Sequence, residues 1–328
     1  MTDTAAPTPA DIEGAATRLQ KHAVRTPLLE NPALNALSGG RILLKAEPLQ
    51  RTGSFKFRGA CNFLSRIPEA TRRKGVVAYS SGNHAQGVAA AAQLFGVPAT
   101  IVMPADAPAM KIENTKGYGA EVVSYDRQSE NRETIAADIA ARTGATLIPP
   151  YDHPWTIGGQ GTVGLEIAAQ CHEREIVPDA VLVCCGGGGL TAGIALALSA
   201  HCPDTRVLTV EPEGFDDTRR SLEAGMRVAN DMRTRSICDA LLAPEPGALT
   251  FEIMQKAGAT GLAVNDNDVR RAVAFAWRHL KLVVEPGGAV ALAAILGNKL
   301  DCADKTVVAV LSGGNVDAEM FRACLDAA

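Results

Sequence analysis

The sequence predicts an α/β protein built from two open, twisted parallel sheets covered by helices. Three observations carry that prediction. Short apolar or β-branched runs alternate with Ala-rich stretches along most of the chain, as repeated βα units do. Strand-like runs such as Val76-Val77-Ala78-Tyr79 and Ala180-Val181-Leu182-Val183-Cys184 are apolar at nearly every position, the mark of strands buried on both faces. The alternation falls into two blocks, separated near residue 155, so two sheets and two domains are expected. A length of 328 residues agrees with that count.

Each element has a local reason. Thr8-Pro9-Ala10-Asp11 starts a helix: a capping threonine, a proline in the first turn and an acid three residues after the cap. That helix should reach about Lys21. Residues 41–46 read as a strand. In the first block, strands are expected near 75–79, 98–103, 121–124 and 146–148. Helices are expected near 55–66, 83–95, 108–117 and 128–143, with Gly96 and Gly144 as C-caps. In the second block, strands fall near 179–184, 206–210 and 305–310. Helices fall near 157–172, 189–200, 266–279, 286–296 and 315–327. Residues 225–248, with Gly225, Pro244, Pro246 and Gly247, form the loopiest stretch.

Composition narrows the function classes. Apolar residues make up 47% and aromatics only 4%, so Ala, Val, Leu and Ile must pack the core. No apolar run approaches the roughly 20 residues of a membrane span. Met1-Thr2-Asp3-Thr4 has neither the basic nor the apolar region of a signal peptide. A net charge of −4 with mixed signs argues against nucleic acid or an anionic membrane as partner. The eight cysteines form no C-x-x-C pair and no zinc-finger spacing, so they read as small buried hydrophobes in a reducing cytosol.

Five short segments carry chemistry. In Arg51-Thr52-Gly53-Ser54-Phe55-Lys56, a lysine follows a small polar turn that opens a helix. Such a turn suits an anion, and a deprotonated lysine amine forms Schiff bases with aldehydes. Ser80-Ser81-Gly82-Asn83-His84 follows a strand and crowds donors at a helix start, which fits a carboxylate or a well-capped helix. Gly186-Gly187-Gly188-Gly189 stands at another strand-to-helix junction. Four glycines in a row carry a large entropic cost and make sense where backbone wraps a phosphate. The spacing is neither a Walker loop nor a dinucleotide fingerprint. Leu311-Ser312-Gly313-Gly314-Asn315 follows the last strand. Glu211-Pro212-Glu213-Gly214-Phe215-Asp216-Asp217 clusters carboxylates in a turn, which by itself reads as a solvated acidic loop more readily than as a divalent-cation site.

Together these segments place a lysine, a phosphate cradle, a carboxylate-binding turn and a hydroxyl at the C-terminal edges of parallel strands, where open α/β sheets bind ligands. The motifs S-F-K-x-R-G-A, S-S-G-N-H-x-Q-G, G-G-G-G-x-x-A-G and S-G-G-N resemble those of the serine/threonine dehydratase and serine racemase group, within the tryptophan-synthase-β-like (fold type II) pyridoxal-phosphate enzymes. The resemblance runs from about residue 10 to 320. It implies a large cofactor-binding domain of residues 1–47 and 149–328, a small domain of residues 48–148, and pyridoxal phosphate between them.

The resemblance also implies roles. Lys56 would hold the cofactor and act as the Cα base, Phe55 would pack on its ring, and Asn83 would meet the ring hydroxyl. Gly186, Gly187, Gly188 and Gly189 would grip the phosphate, and Ser312 would face the pyridine nitrogen. Ser80, Ser81, Asn83 and His84 would clamp the substrate carboxylate, with Ser81 a second acid/base. Glu211, Asp217 and the Phe215 carbonyl would bind a divalent cation such as Mg²⁺, Mn²⁺ or Ca²⁺. Arg51, Gln86, Lys281 and Asn315 resemble part of a nucleotide site for ATP. Arg132 aligns with an arginine of serine racemases and 3-hydroxyaspartate dehydratases, suited to a second carboxylate. Tyr151 departs from both groups of relatives and would either bond a polar substrate side chain or simply pack. The implied reaction is β-elimination from 3-hydroxyaspartate, serine or threonine to a 2-oxo acid and ammonia, with racemisation as the alternative. A homodimer is expected. A chain ending near 328 leaves no room for a C-terminal amino-acid-sensing domain, which suits a catabolic role.

Overall fold

The structure is a computed structural model and describes residues 5–327. The signal-peptide reading of the first four residues falls outside that range. Ten strands form two sheets: β1 (Leu28–Glu30), β2 (Arg41–Ala46), β3 (Val76–Tyr79), β4 (Ala99–Pro104), β5 (Glu121–Tyr125), β6 (Thr146–Leu147), β7 (Ala180–Cys184), β8 (Arg206–Pro212), β9 (Thr260–Val264) and β10 (Thr306–Leu311). The smaller sheet has the order β5-β4-β3-β6, and all its pairings are parallel. The larger has the order β1-β2-β10-β7-β8-β9.

The larger sheet is mixed, which corrects the all-parallel expectation. Its edge strand β1 runs antiparallel to β2, with Leu28 opposite Lys45. The connection between them holds only the short helix Pro32–Ser38. A parallel return needs a crossover of a dozen residues or more, so this short link reverses the chain. The sequence reading also missed β9 and the helices Asp217–Ala224 and Ala248–Lys256. The expected helix 266–279 is α-helical only over Asp266–Phe275 and then widens into a π-turn at Ala276–Leu280.

Local signals otherwise act as chemistry demands. Thr8 and Asp11 form a capping box at the helix Pro9–Leu19. Gly96 and Gly144 end their helices at φ 64° and 72°, in the left-handed region that glycine tolerates. All eight cysteines are free. Among the described residues, no helix is long and apolar enough to cross a membrane.

One helix, Pro154–His172, organises the site. On one side it meets the helix Lys56–Arg66, where a Cβ on Gly159 would lie 2.7 Å from the Gly59 Cα. On the other it meets the helix Gly189–His201, where a Cβ on Gly161 would lie 2.8 Å from the Gly193 carbonyl oxygen. Real Cβ atoms do not come that close, so glycine at this seam brings backbones together. The lysine helix and the glycine-loop helix are thereby held against one common support.

A buried charge cluster is centred on Arg58, two residues after Lys56 in the same helix. Arg58 reaches both oxygens of Glu47, at 2.8 and 2.9 Å, and both of Glu166, at 2.6 and 2.9 Å. Lys45 donates to Glu166 at 2.6 Å, Gln170 at 2.9 Å and the Thr26 carbonyl at 2.7 Å. The side chains of Lys45, Glu47 and Arg58 are at most 1% exposed. Burial opposes the charge on Arg58, but the Glu47 and Glu166 carboxylates outweigh it and raise its pKa.

Candidate active site

Three strand ends build one cavity of about 160 Å³. Phe55, Lys56, Ser80, Ser81, Asn83, His84, Arg132, Tyr151, Gly186–Gly189 and Ser312 all line it. The structure thus brings the expected cofactor and substrate residues onto one surface. It leaves the acidic turn and the nucleotide set elsewhere.

Lys56 begins its helix and donates to the Pro150 carbonyl at 2.8 Å, with its ammonium 5.2 Å from the centre of the Phe55 ring. Burial brings its pKa down to about 8. At that value about a tenth of the amine is free at pH 7, against a few parts in ten thousand for an ordinary lysine. A free amine is what nucleophilic attack and proton abstraction require.

The glycine loop caps the helix Gly189–His201. Gly188 lies at φ 90°, and a Cβ there would meet Met254 and Thr250 at 2.8 Å. Gly187 lies under the Tyr151 ring, so any side chain at 187 would displace that ring. Tyr151 is therefore a wall of the loop as well as of the cavity. Its neighbour Asp152 fixes it by accepting from the N–H groups of Ala248, Leu249 and Thr250 at 3.0, 3.0 and 3.2 Å. The first closed turn of the helix starting at Gly189 is Ala192 onto the Gly188 carbonyl at 2.8 Å, and the N–H groups before it suit an anion.

The Ser80–His84 turn opens a second helix, Asn83–Phe95. Gln86 is its first residue to close a turn, onto the Gly82 carbonyl at 3.2 Å, so the preceding N–H groups remain as donors. His84 is 2% exposed, with Nε2 3.0 Å from the Ile148 carbonyl. Burial, reinforced by the nearby Lys56 charge, pulls its pKa down to about 3, so the imidazole is neutral. With Nε2 donating to that carbonyl, Nδ1 is an unpartnered acceptor. The donor His84 can offer an anion is its backbone N–H.

Asn83 is held at both side-chain atoms. Its Nδ2 donates to Glu285 Oε1 at 2.5 Å, and its Oδ1 accepts from Asn315 Nδ2 at 2.7 Å. Asn315 Nδ2 also donates to the Thr52 carbonyl at 2.7 Å. Glu285 is 1% exposed, and burial lifts its pKa to about 7 against the pull of Lys111. Lys111 itself is 4% exposed and pairs with Asp239 at 2.6 Å.

The sequence reading missed Glu285, Lys111, Asp239 and Tyr79. Glu285 had a local signal, since Glu285-Pro286-Gly287-Gly288 opens a helix. Lys111 and Asp239 are 128 residues apart and gave none. Tyr79 ends β3, and the Arg132 guanidinium lies 5.5 Å from its ring centre.

The acidic turn has a different character. Glu211 is fully buried, and its two oxygens accept from the Thr218 and Arg219 N–H groups at 2.9 and 2.8 Å. Asp217 is also buried, and its Oδ2 has no partner. Phe215 is 1% exposed. The turn is therefore not the solvated loop its composition suggests. Among the described residues, no three His, Cys, Asp or Glu side chains gather in a metal-ligating group. Of the residues resembling a nucleotide site, Gln86 and Asn315 line a second cleft of about 430 Å³. Arg51 instead stacks on Phe57 at 5.7 Å, and Lys281 donates to the Arg278 carbonyl.

Known proteins resemble this chain in sequence and in fold. L-threo-3-hydroxyaspartate ammonia-lyase from Pseudomonas sp. is 45% identical over 96% of this chain and 97% of its own. Serine racemase from Schizosaccharomyces pombe is 41% identical over 96% of both chains. The crystal structure of a T.th. threonine deaminase superposes with a TM-score of 0.89 at 44% identity, covering 95% of this chain and 99% of that one. The profile of one family spans residues 19–313, which includes both sheets, the lysine, the glycine loop and Ser312, and by it the chain belongs to the pyridoxal-phosphate dependent enzymes.

Proposed function

We propose that this protein is a pyridoxal-phosphate-dependent ammonia-lyase that eliminates the β-hydroxyl of a small hydroxy amino acid. The observation that carries the reading is the convergence of Lys56, the Ser80–His84 turn, the glycine loop and Ser312 on one cavity. The residues fit the cofactor. The loop is packed so closely against Tyr151, Met254 and Thr250 that 187 and 188 admit no Cβ, which leaves bare backbone to meet a phosphate, and Lys56 has no carboxylate partner to hold it charged. Gly186–Gly189 would hold the phosphate, Phe55 the ring, Asn83 the ring hydroxyl and Ser312 the ring nitrogen. When bound, the cofactor withdraws electrons from the substrate Cα. A neutral serine partner at the ring nitrogen limits that withdrawal, which favours expulsion of a β-leaving group over transamination.

The chain's own residues do the rest. The donor turn receives the α-carboxylate through Ser80, Ser81, Asn83 and the backbone N–H of His84. Lys56 takes the Cα proton, aimed by its bond to the Pro150 carbonyl. The β-hydroxyl takes a proton from a donor in the cavity, such as the Lys56 ammonium just formed, and leaves as water; the released enamine then takes up water and hydrolyses to a 2-oxo acid and ammonia. Ser81 is a second proton carrier in the same cavity, so racemisation is the second reading.

Arg132 favours a substrate with a second carboxylate. It lines the cavity, and among the described residues its guanidinium makes no hydrogen bond or ion pair. An ammonia-lyase for 3-hydroxyaspartate is also among the relatives. The assay is direct: holoenzyme is given L-serine, L-threonine and the isomers of 3-hydroxyaspartate, and ammonia, 2-oxo acid and enantiomer composition are measured. No oxo acid from any of them would sink the lyase reading. Arg132→Ala should lower kcat/KM for 3-hydroxyaspartate by about 30-fold or more, as loss of a charge-assisted pair does, and leave serine nearly unchanged.

The unpartnered Asp217 Oδ2 beside buried Glu211 supports a divalent cation held by both carboxylates and the Phe215 carbonyl. Chelation should lower the melting temperature, and an unchanged value would remove the cation. The wall formed by Gln86 and Asn315 supports at most a nucleotide effector in the second cleft. The two-domain division and the homodimer belong to the same proposal.

A further inference from the structure

We propose that Tyr79 is the positioning residue that selects for a dicarboxylate substrate, by holding the Arg132 guanidinium over the cavity with its aromatic face. The inference rests on the lyase reading of this cavity and adds a residue to it. Tyr79 is the last residue of β3 and lies directly before the donor turn that receives the α-carboxylate. It packs against the apolar cluster of Val77, Val102, Tyr125, Ala136 and Ile139, which joins β3 to the helix Arg132–Thr143. Arg132 is the first residue of that helix, capped by Asn131. Strand end and helix start are therefore fixed to each other by apolar packing, and the guanidinium lies across the ring, 5.5 Å from its centre.

Among the described residues the Arg132 guanidinium makes no hydrogen bond or ion pair; it lies over the Tyr79 ring and is also within electrostatic reach of the Tyr151 phenol. An arginine on a bare helix start would sample many rotamers. A ring beneath the guanidinium restricts it without neutralising it, because an aromatic face attracts a cation but takes none of its hydrogen-bond donors. A carboxylate partner would position it equally well but consume the charge. Burial, with the Glu133 carboxylate adding to it, raises the Tyr79 hydroxyl to about 12, so the ring stays neutral at working pH. Two anion receivers, the Ser80–His84 turn and Arg132, are thereby tied to one strand end. A substrate with carboxylates at both ends can meet both; serine and threonine meet only the first.

The test compares Tyr79→Phe, Tyr79→Ala, Arg132→Ala and the Tyr79→Ala/Arg132→Ala double variant as holoenzymes. The readouts are kcat and KM for 3-hydroxyaspartate and L-serine, and the inhibition constant of succinate, a dicarboxylate without an amine. Tyr79→Phe keeps the ring and should stay within about 3-fold of wild type on every readout. Tyr79→Ala should raise KM for 3-hydroxyaspartate and the succinate constant about 3- to 30-fold, with kcat and the serine KM within 2-fold. The double variant should match Arg132→Ala alone. Equal losses on serine and 3-hydroxyaspartate in Tyr79→Ala would overturn the inference, as would no loss at all. If Arg132→Ala is selective and Tyr79→Ala is not, only the role of Tyr79 fails. If Arg132→Ala is not selective either, the dicarboxylate reading of the site fails with it.

Discussion

Two polar regions of this molecule meet at the start of one helix, through Lys56 and Arg58, and obey opposite rules. Around Arg58, the buried cluster of Lys45, Glu47, Arg58 and Glu166 is saturated, with every charge meeting an opposite one at 2.6–2.9 Å. Around the cavity, polar groups are left short: His84 Nδ1 and Glu285 Oε2 have no partner, and Arg132 has only a ring. Buried polar groups are normally paired, so a saturated cluster reads as scaffold and a short-handed one as a place for a ligand. On the proposed function, the difference separates residues that support the Lys56 helix from residues that would meet a substrate or cofactor.

The comparison can be broken by stability measurements. Arg58→Ala leaves Glu47 buried and unpaired, and should lower unfolding free energy by about 3–5 kcal/mol in urea. Arg132→Ala should change it by less than about 0.5 kcal/mol. Similar losses in the two variants would erase the distinction.

Glu285 sharpens it through pH. Its carboxyl has a folded pKa of about 7 against an ordinary 4.5. Below the ordinary value it is protonated in both states. As pH rises toward 7 the unfolded chain ionises first, so stability falls, and above 7 the full cost remains. Glu285→Gln keeps an acceptor for Asn83 and should stabilise the cofactor-free protein by on the order of 3 kcal/mol at pH 8 and not at pH 4. A gain independent of pH would show that the carboxyl is not held neutral. A more modest loss than at Arg58 is expected at the glycine loop. Gly187→Ala should cost about 1–3 kcal/mol by displacing the Tyr151 ring, and should weaken cofactor binding as well. Unchanged cofactor affinity would mean that the loop does not close on the phosphate.

Much of this was legible in the sequence, for identifiable reasons. The catalytic segments are local: a lysine after a polar turn, four glycines, and a crowd of donors at a helix start each carry their reason within ten residues. The saturated cluster was not legible. Arg58 and Glu166 are 108 residues apart, and nothing near either announces the pairing. β1 escaped because three residues carry no periodicity, and β9 because Thr260-Gly261-Leu262 lacks the apolar run of its neighbours. The resemblance, not the residues, singled out Arg132, and neither suggested the Tyr79 ring that holds it. Glu211 and Asp217 read locally as a wet loop, because sequence alone does not reveal burial.

The chain of amides from Thr52 through Asn315 and Asn83 to Glu285 has a direction. The Thr52 carbonyl at one end can only accept, which turns the Asn315 amide nitrogen toward it and toward Asn83 Oδ1, and so turns the Asn83 nitrogen toward Glu285. The valences left over are then of opposite sign. Asn83, in the main cavity, has one N–H to spare, while Asn315, on the second cleft, has only its oxygen. The two clefts share a wire and meet opposite ends of it: a donor at Asn83 in the first, an acceptor at Asn315 in the second.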